Sequence, residues 1–135
     1  MYKVVLDTNV IISAFLTPAG PSATILRLVL HKDLEICSST AILAEYEQVL
    51  TRPKFTEHLQ NHAIQRFMDI LHDMATEIIC LPSTFEMPDE SDRIFYDTAK
   101  EAGAFLITGN KKHFPAETMI VSPTEFIKIF STQAE

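Results

Sequence analysis

Five short apolar runs, separated by stretches of helical spacing or by turn signals, constrain the fold of this chain more than any other feature. They lie at residues 2–6, 34–37, 78–81, 105–107 and 119–121. Their residues are near-continuously apolar rather than alternating, which is the pattern of strands buried on both faces. Strands of that kind, separated by helices, belong to a parallel sheet covered on each side. The expected class is therefore α/β: a three-layer α/β/α sandwich with a central parallel sheet of about five strands, in one domain spanning residues 1–135.

The intervening segments fit that plan. Residues 10–16 read as a short helix stopped by the break Thr17-Pro-Ala-Gly-Pro21, and Ser22 is placed to cap a second helix running to about residue 31. Ser38-Ser-Thr40 supplies a cap for a helix over 41–50, which must stop before Pro53. Between residues 56 and 75 the apolar positions Ile64, Phe67, Met68, Leu71 and Met74 recur at helical spacing and are read as a two-helix hairpin. A polar loop over 82–90 leads into a helix over 91–101, with Ile94, Phe95, Thr98 and Ala99 inward and Gly103 as its C-terminal stop. Ser122-Pro-Thr-Glu125 combines a capping box with proline at the first helical position and opens the last helix.

With 47% apolar residues the chain has enough for a core, yet no stretch approaches the roughly 18 apolar residues of a membrane span, and no basic leader precedes the first strand. A soluble, cytoplasmic protein with no membrane partner is expected. Cys37 and Cys80 form no CxxC pair and are read as reduced thiols. The balance of 11 basic and 18 acidic residues, a net −7, argues against gripping nucleic acid by bulk charge. Acidic residues gathered around divalent cations would give the same imbalance.

In parallel sheets ligands bind beyond the carboxyl ends of the strands. Asp7 directly follows the first run, Glu45 lies in the helix after the second, Asp92 opens the helix after the third, and Asn110 follows the fourth. Each has a plainer role when taken alone: Asp7 in an Asx turn, Glu45 as a solvated helix residue, Asp92 against a helix dipole. Together at one edge, three carboxylates with no Arg or Lys in the same turns repel one another unless a divalent cation joins them. Oxygen-only ligands favour Mg²⁺ or Mn²⁺. A water on such a metal can attack a phosphodiester while the metal takes up charge developing on the phosphoryl oxygens, so hydrolysis of a nucleic-acid strand is the sharpest expectation.

Four segments then resemble a known family, the PIN domain nucleases, and in particular the single-domain toxins of bacterial toxin-antitoxin systems. The segments are Leu6-Asp-Thr-Asn-Val-Ile-Ile-Ser13, residues 39–45, Pro88-Asp-Glu-Ser-Asp-Arg-Ile-Phe95 running on to Ala99 and Ala102-Gly-Ala104, and Leu106-Ile-Thr-Gly-Asn110 with Phe114. The resemblance covers nearly the whole chain and implies a PIN-like, Rossmann-like sandwich. It also implies a metal-dependent endoribonuclease selective for single-stranded RNA, paired with a cognate antitoxin protein and able to form a homodimer. The family's three acids fall on Asp7, Glu45 and Asp92, and Asp89 matches an acid often found just before the third. Asn9 and Thr108 match positions that orient Asp7 or the waters of the metal.

The chain departs from the family at Asn110, where many members carry aspartate. An amide oxygen still binds Mg²⁺ or orients its water but brings no charge, which points toward one-metal chemistry or a weak second site assisted by Asp89. Arg52, Lys54, Lys111 and Lys112 are the basic pairs nearest the strand-end loops and are candidates for phosphate contacts, against the plainer reading of solvated loop charge. Phe55 and Phe114 adjoin them and fit core packing better than base stacking. His58 and His62 have a zinc-compatible spacing but no acid between them and no third ligand, so a surface helix face is expected. The three glycines form no phosphate-binding loop. Two rivals remain. A phosphatase of the haloacid dehalogenase type is disfavoured because its second acid would stand where the chain has Asn9. A catalytically weak or inactive PIN-fold module that binds RNA or protein draws weight from Asn110 and the net charge.

Overall fold

The structure, a computed structural model, describes residues 1–57, 59–84 and 86–133. His58, and with it the His58/His62 pair, lies outside the described residues.

Five strands form one all-parallel sheet: β1 (Lys3–Leu6), β2 (Glu35–Ser38), β3 (Thr76–Glu77), β4 (Phe105–Ile107) and β5 (Ile120–Val121), in the order β3-β2-β1-β4-β5. β1 pairs with β2 through Lys3↔Glu35 and Val4↔Ile36 and with β4 through Val4↔Phe105, Val5↔Leu106 and Leu6↔Ile107. Having neighbours on both sides, it is buried almost throughout, and Val4, Val5 and Leu6 are fully buried. The chain winds outward from β1 through β2 to β3, then returns to the other side of β1 for β4 and β5. The point where the winding reverses lies between the carboxyl ends of β1 and β4, the crevice where open α/β sheets bind ligands.

Helices complete the three-layer α/β/α sandwich. They are α1 (Thr8–Leu16), α2 (Pro21–Leu30), α3 (Thr40–Leu50), the single turn α4 (Pro53–Thr56), α5 (Asn61–Met74), α6 (Arg93–Ala102) and α7 (Pro123–Gln133). α6 packs across β1, β2 and β4 through Phe95, Tyr96, Thr98 and Ala99. Phe126 of α7 is fully buried and meets Tyr2 and Phe105 edge-on, with ring centroids 5.9 and 5.6 Å apart. Gly103 stops α6 in the left-handed conformation at φ 65°, which glycine adopts without a Cβ penalty. The capping box of α7 is reciprocal: Glu125 N–H donates to Ser122 Oγ at 3.1 Å, and Ser122 N–H donates to the Glu125 carboxylate at 2.8 Å. No single described helix is long and apolar enough to cross a membrane.

Several segments differ from the sequence expectation. The third strand is Thr76–Glu77, not residues 78–81. β2 ends at Ser38, where the chain turns into α3, so after Ile78 N–H donates to Ser38 carbonyl at 2.8 Å no strand remains to pair with. Ile79 and Leu81 therefore leave the sheet, 83% and 90% exposed. The expected hairpin over 56–75 is one turn followed by one long helix, because Ile64, Phe67, Met68 and Leu71 fit one face of α5 without a break. α1 starts at Thr8, since Val10 N–H closes the first turn on Asp7 carbonyl at 3.0 Å. Gly20, not Ser22, stands at the N-cap of α2, with Pro21 next and Ser22 inside the first turn.

Candidate active site

Asp7 is the hinge between β1 and α1. Its N–H still pairs with the sheet, donating to Ile107 carbonyl at 3.0 Å, while its own backbone is the N-cap of the helix. The carboxylate is 7% exposed and held from two sides: Thr108 donates its hydroxyl to Oδ2 at 2.7 Å, and Asn9 donates its amide to the same oxygen at 3.3 Å. Asn9 is steadied in turn by Gly109, whose N–H donates to Asn9 Oδ1 at 3.3 Å. Thr108, fully buried, also accepts from Asn110 N–H at 3.0 Å, so one hydroxyl shapes both the acid and the turn after β4.

Glu45 approaches from α3. Ser39 caps that helix through the Ile42 N–H at 3.2 Å, and Thr8 at the start of α1 donates its hydroxyl to Glu45 Oε2. The next residue, Tyr46, is fully buried and donates its hydroxyl to the Leu6 carbonyl, tying α3 to the peptide just before Asp7. Asp92 stands at the N-cap of α6 after a 3-10 turn, Glu90–Asp92, and Asp89 caps that turn by accepting from Ser91 N–H at 3.0 Å and Ser91 Oγ at 2.8 Å.

The charges respond to one another. Burial, then the neighbouring charges of Asp7 and Asp89, with a smaller contribution from Glu45, push the Asp92 carboxyl up to about 6 against an opposing pull from His113. Asp7 is also raised, chiefly by burial with Glu45 adding to it, while Thr108 and the Thr8 backbone act in the opposite direction. The Ser91 hydrogen bonds hold Asp89 below the usual carboxylate range. Among the described residues Asp92 Oδ2 is buried with no hydrogen-bond partner; His113 Nδ1 stands 3.6 Å away.

Asp7, Glu45, Asp92 and Asp89 thus share one electrostatic field at the β1/β4 crevice, and Asn9 and Thr108 bond Asp7 directly. Among the described residues no three His, Cys, Asp or Glu side chains are drawn into a closed ligand cluster. Among the described residues the Asn110 side chain has no hydrogen-bond partner, and that residue joins the site through its backbone N–H. Of the basic candidates, Lys111 is engaged by Glu125 at 3.0 Å, while Lys112 is exposed in the same turn and, among the described residues, has no carboxylate within 4 Å. Arg52 and Lys54 are exposed beyond the far end of α3 and contact none of the site carboxylates; Lys54 lies over the Phe55 ring, 5.2 Å from its centroid. Phe55 and Phe114 are core residues, 7% and 5% exposed.

Sequence reasoning missed His113, Thr8 and Tyr46. His113 had a legible signal, since it lies in the same turn as Asn110. Thr8 and Tyr46 adjoin Asp7 and Glu45, and only the tertiary fold shows that each reaches across to the other segment.

A family model described as "PIN domain" matches residues 3–112. The uncharacterized protein MJ1680 of Methanocaldococcus jannaschii is 37% identical over 112 residues, covering 81% of this chain and 71% of that protein. Among solved structures, PAE2754 from Pyrobaculum aerophilum superposes with a TM-score of 0.63 at 13% identity, over 98% of this chain and 91% of the other. A chain from the crystal structure of VapBC2 from Rickettsia felis, bound to a DNA fragment from their promoter, superposes at 0.53 and 18% identity, over 82% of this chain and 89% of that one.

Proposed function

The chain belongs to the PIN domain family, and from that premise we propose that it is a divalent-metal-dependent endoribonuclease acting on single-stranded RNA, the toxin partner of a cognate antitoxin. The observation that carries this reading is Asp92 Oδ2. A carboxylate oxygen buried without a hydrogen bond, in a field raised by Asp7, Asp89 and Glu45, is unfavourable for the protein alone and suited to a cation. The donor set is all oxygen, which fits Mg²⁺ or Mn²⁺.

Asp7, Glu45 and Asp92 would hold the ion, with Asp89 at the rim. When bound, it supplies an activated water and charge stabilisation for the phosphoryl oxygens. The protein's own contribution is orientation. Thr108 and Asn9 fix Asp7, Thr8 fixes Glu45, and Tyr46 locks α3 against the end of β1. Such supporting bonds keep an ionised side chain in one rotamer, so the geometry needs little reorganisation when the ligand arrives. Lys112 is the basic residue best placed to meet the strand's backbone, and Lys111 is already engaged by Glu125. The antitoxin assignment draws on the fold shared with the VapBC2 chain.

Asn110 favours a second reading, a PIN-fold module that binds RNA with little cutting, because its neutral side chain is unengaged at the position where a fourth acid would stand. One assay separates the two: cleavage of an end-labelled unstructured RNA with Mn²⁺ by wild type and by Asp7→Asn. Slow cutting by wild type that disappears in Asp7→Asn is the expected result. Metal and RNA binding without any cutting would replace the nuclease reading with the binding one.

A further inference from the structure

Beside Asp7 lies a cleft of about 390 Å³ lined by Asn9, Val10, Ser13, Ser22, Gly109 and Thr124, with two prolines between them. Those prolines, Pro21 and Pro123, are the first residues of α2 and α7, so the N-terminal turns of two separate helices open onto one space. The first N–H groups of a helix have no intrahelical acceptor and carry the positive end of its dipole. In this protein α3 and α7 satisfy one of them with a capping serine, whereas, among the described residues, α1, α4, α5 and α6 begin without a side-chain cap. α2 is also uncapped, since its N-cap is Gly20 with no side chain to accept, and Ser22 and Ala23 in its first turn are each only 5% exposed. The Ser22 hydroxyl is a second, separate signal. It lines the cleft, its residue is 95% buried, and among the described residues it has no hydrogen-bond partner. At α7 the capping box occupies the Ser122 and Glu125 N–H groups and leaves Thr124 N–H uncommitted. The one carboxylate at this helix start, Glu125, is paired with Lys111 at 3.0 Å, so its charge is largely offset.

We propose that this cleft is a phosphate subsite of the nuclease: it binds a backbone phosphate of the RNA strand adjoining the one cut at Asp7. The assignment rests on the nuclease reading above and deepens it. Two converging helix N-termini, an unpartnered hydroxyl on an otherwise buried serine and no lysine or arginine make a neutral cradle suited to an anion. Its position fits, because Asn9 and Gly109 form one wall and the same Asn9 side chain bonds Asp7 Oδ2. It also accounts for how a chain of net charge −7 binds a polyanion, through oriented backbone dipoles in place of bulk positive charge.

The test is an amide-resolved NMR titration of the full chain in EDTA, with a short 5′-phosphorylated oligouridylate in one arm and inorganic phosphate in the other, alongside the binding affinity of the oligonucleotide for wild type, Ser22→Ala and Thr124→Glu. Thr124 is exposed, and a carboxylate in the first turn of α7 suits its dipole, so Thr124→Glu folds while placing negative charge at the mouth of the cleft. Expected are shifts of the Ser22, Ala23 and Thr124 amides with oligonucleotide, at least fivefold weaker binding in Thr124→Glu and a smaller loss in Ser22→Ala. The Mn²⁺-dependent thermal shift should be retained in both variants. If the oligonucleotide binds and moves residues around Asp7 and Lys112 but not these three amides, and Thr124→Glu binds as wild type does, the subsite is wrong and the nuclease reading stands. If inorganic phosphate moves the three amides and the oligonucleotide does not, the assignment to substrate is overturned. If no oligonucleotide binds anywhere in EDTA, the subsite, which needs no metal, is overturned, and the nuclease reading is decided by the Mn²⁺ cleavage assay.

Discussion

Thr108 donates its hydroxyl to Asp7 Oδ2 at 2.7 Å across 101 residues of sequence, joining the carboxyl ends of the two central strands. Both groups are buried and the bond is charge-assisted, so its loss leaves Asp7 Oδ2 with only the longer, 3.3 Å bond from Asn9. Thr108→Val keeps the shape and deletes the hydroxyl, which also releases the Asn110 N–H. A destabilisation of about 1.5–3 kcal/mol, the range for hydrogen bonds to charged groups, is expected in denaturant unfolding, together with weaker Mn²⁺ binding. Unchanged stability would show that the bond contributes nothing to the fold.

Asp7→Asn should raise the melting temperature of the metal-free protein at pH 7.5. Burial and the Glu45 charge raise the Asp7 carboxyl, so its ionised form is disfavoured in the fold, and a neutral isostere relieves that strain. Mn²⁺ should then stabilise wild type, by about 2.7 kcal/mol at a hundredfold excess over its Kd, and leave the variant almost unmoved. Equal metal-induced shifts in the two proteins would place the ion elsewhere.

The pH dependence of stability follows from Asp92, whose folded-state value of about 6 lies above its ordinary 3.8. The folded protein therefore holds this proton more tightly than the unfolded chain. The stabilisation is fully present below 3.8 and is lost as pH rises through about 6. The groups facing Asp92 are Asp7 at the end of β1, Glu45 on α3, Asp89 in the turn before α6 and His113 after β4. Without metal, Asp92→Asn should melt above wild type at pH 7.5, and the gap should shrink toward pH 5. Melting curves of both proteins at those two pH values decide the matter; a constant gap would count against a raised Asp92.

Asn110→Asp adds a carboxylate where the turn after β4 meets the site. If charge at that position limits the reaction, Mn²⁺-dependent cleavage of the labelled RNA should rise by about tenfold, equivalent to about 1.4 kcal/mol of transition-state stabilisation. The double variant with Asp7→Asn should be inactive. Cleavage that survives in the double variant would identify a contaminating ribonuclease.

The parts of this protein legible in the sequence are those whose signals are local. Buried runs at residues 2–6 and 105–107 dictate central strands, Ser122 and Glu125 write out their own capping box, and Gly103 marks the end of α6. Asp7 was conspicuous because a carboxylate interrupts an apolar run and requires a reason. The third strand was misplaced because its length is decided by where β2 stops, which is a property of the partner. The run Ile78-Ile-Cys-Leu81 is as apolar as a strand, yet it has nothing left to pair with. His113 and Thr8 escaped notice for a related reason, since a side chain that serves a distant acid carries no periodic signature. The basic pair Arg52 and Lys54 was grouped with the site by charge alone, and a helix that leads away from the crevice separates them from it.

The strand order has a consequence for biosynthesis. A chain emerging from the ribosome N-terminus first releases Asp7 and Glu45 early, on the half of the sheet formed by β1, β2 and β3. Asp92 follows later, and Thr108, which fixes Asp7, arrives only with β4, whose insertion beside β1 also closes the crevice. Two acids without the third, and without the hydroxyl that orients the first, form no complete site. The candidate site is thus assembled only after most of the domain has been translated, once β4 has left the tunnel and taken its place beside β1.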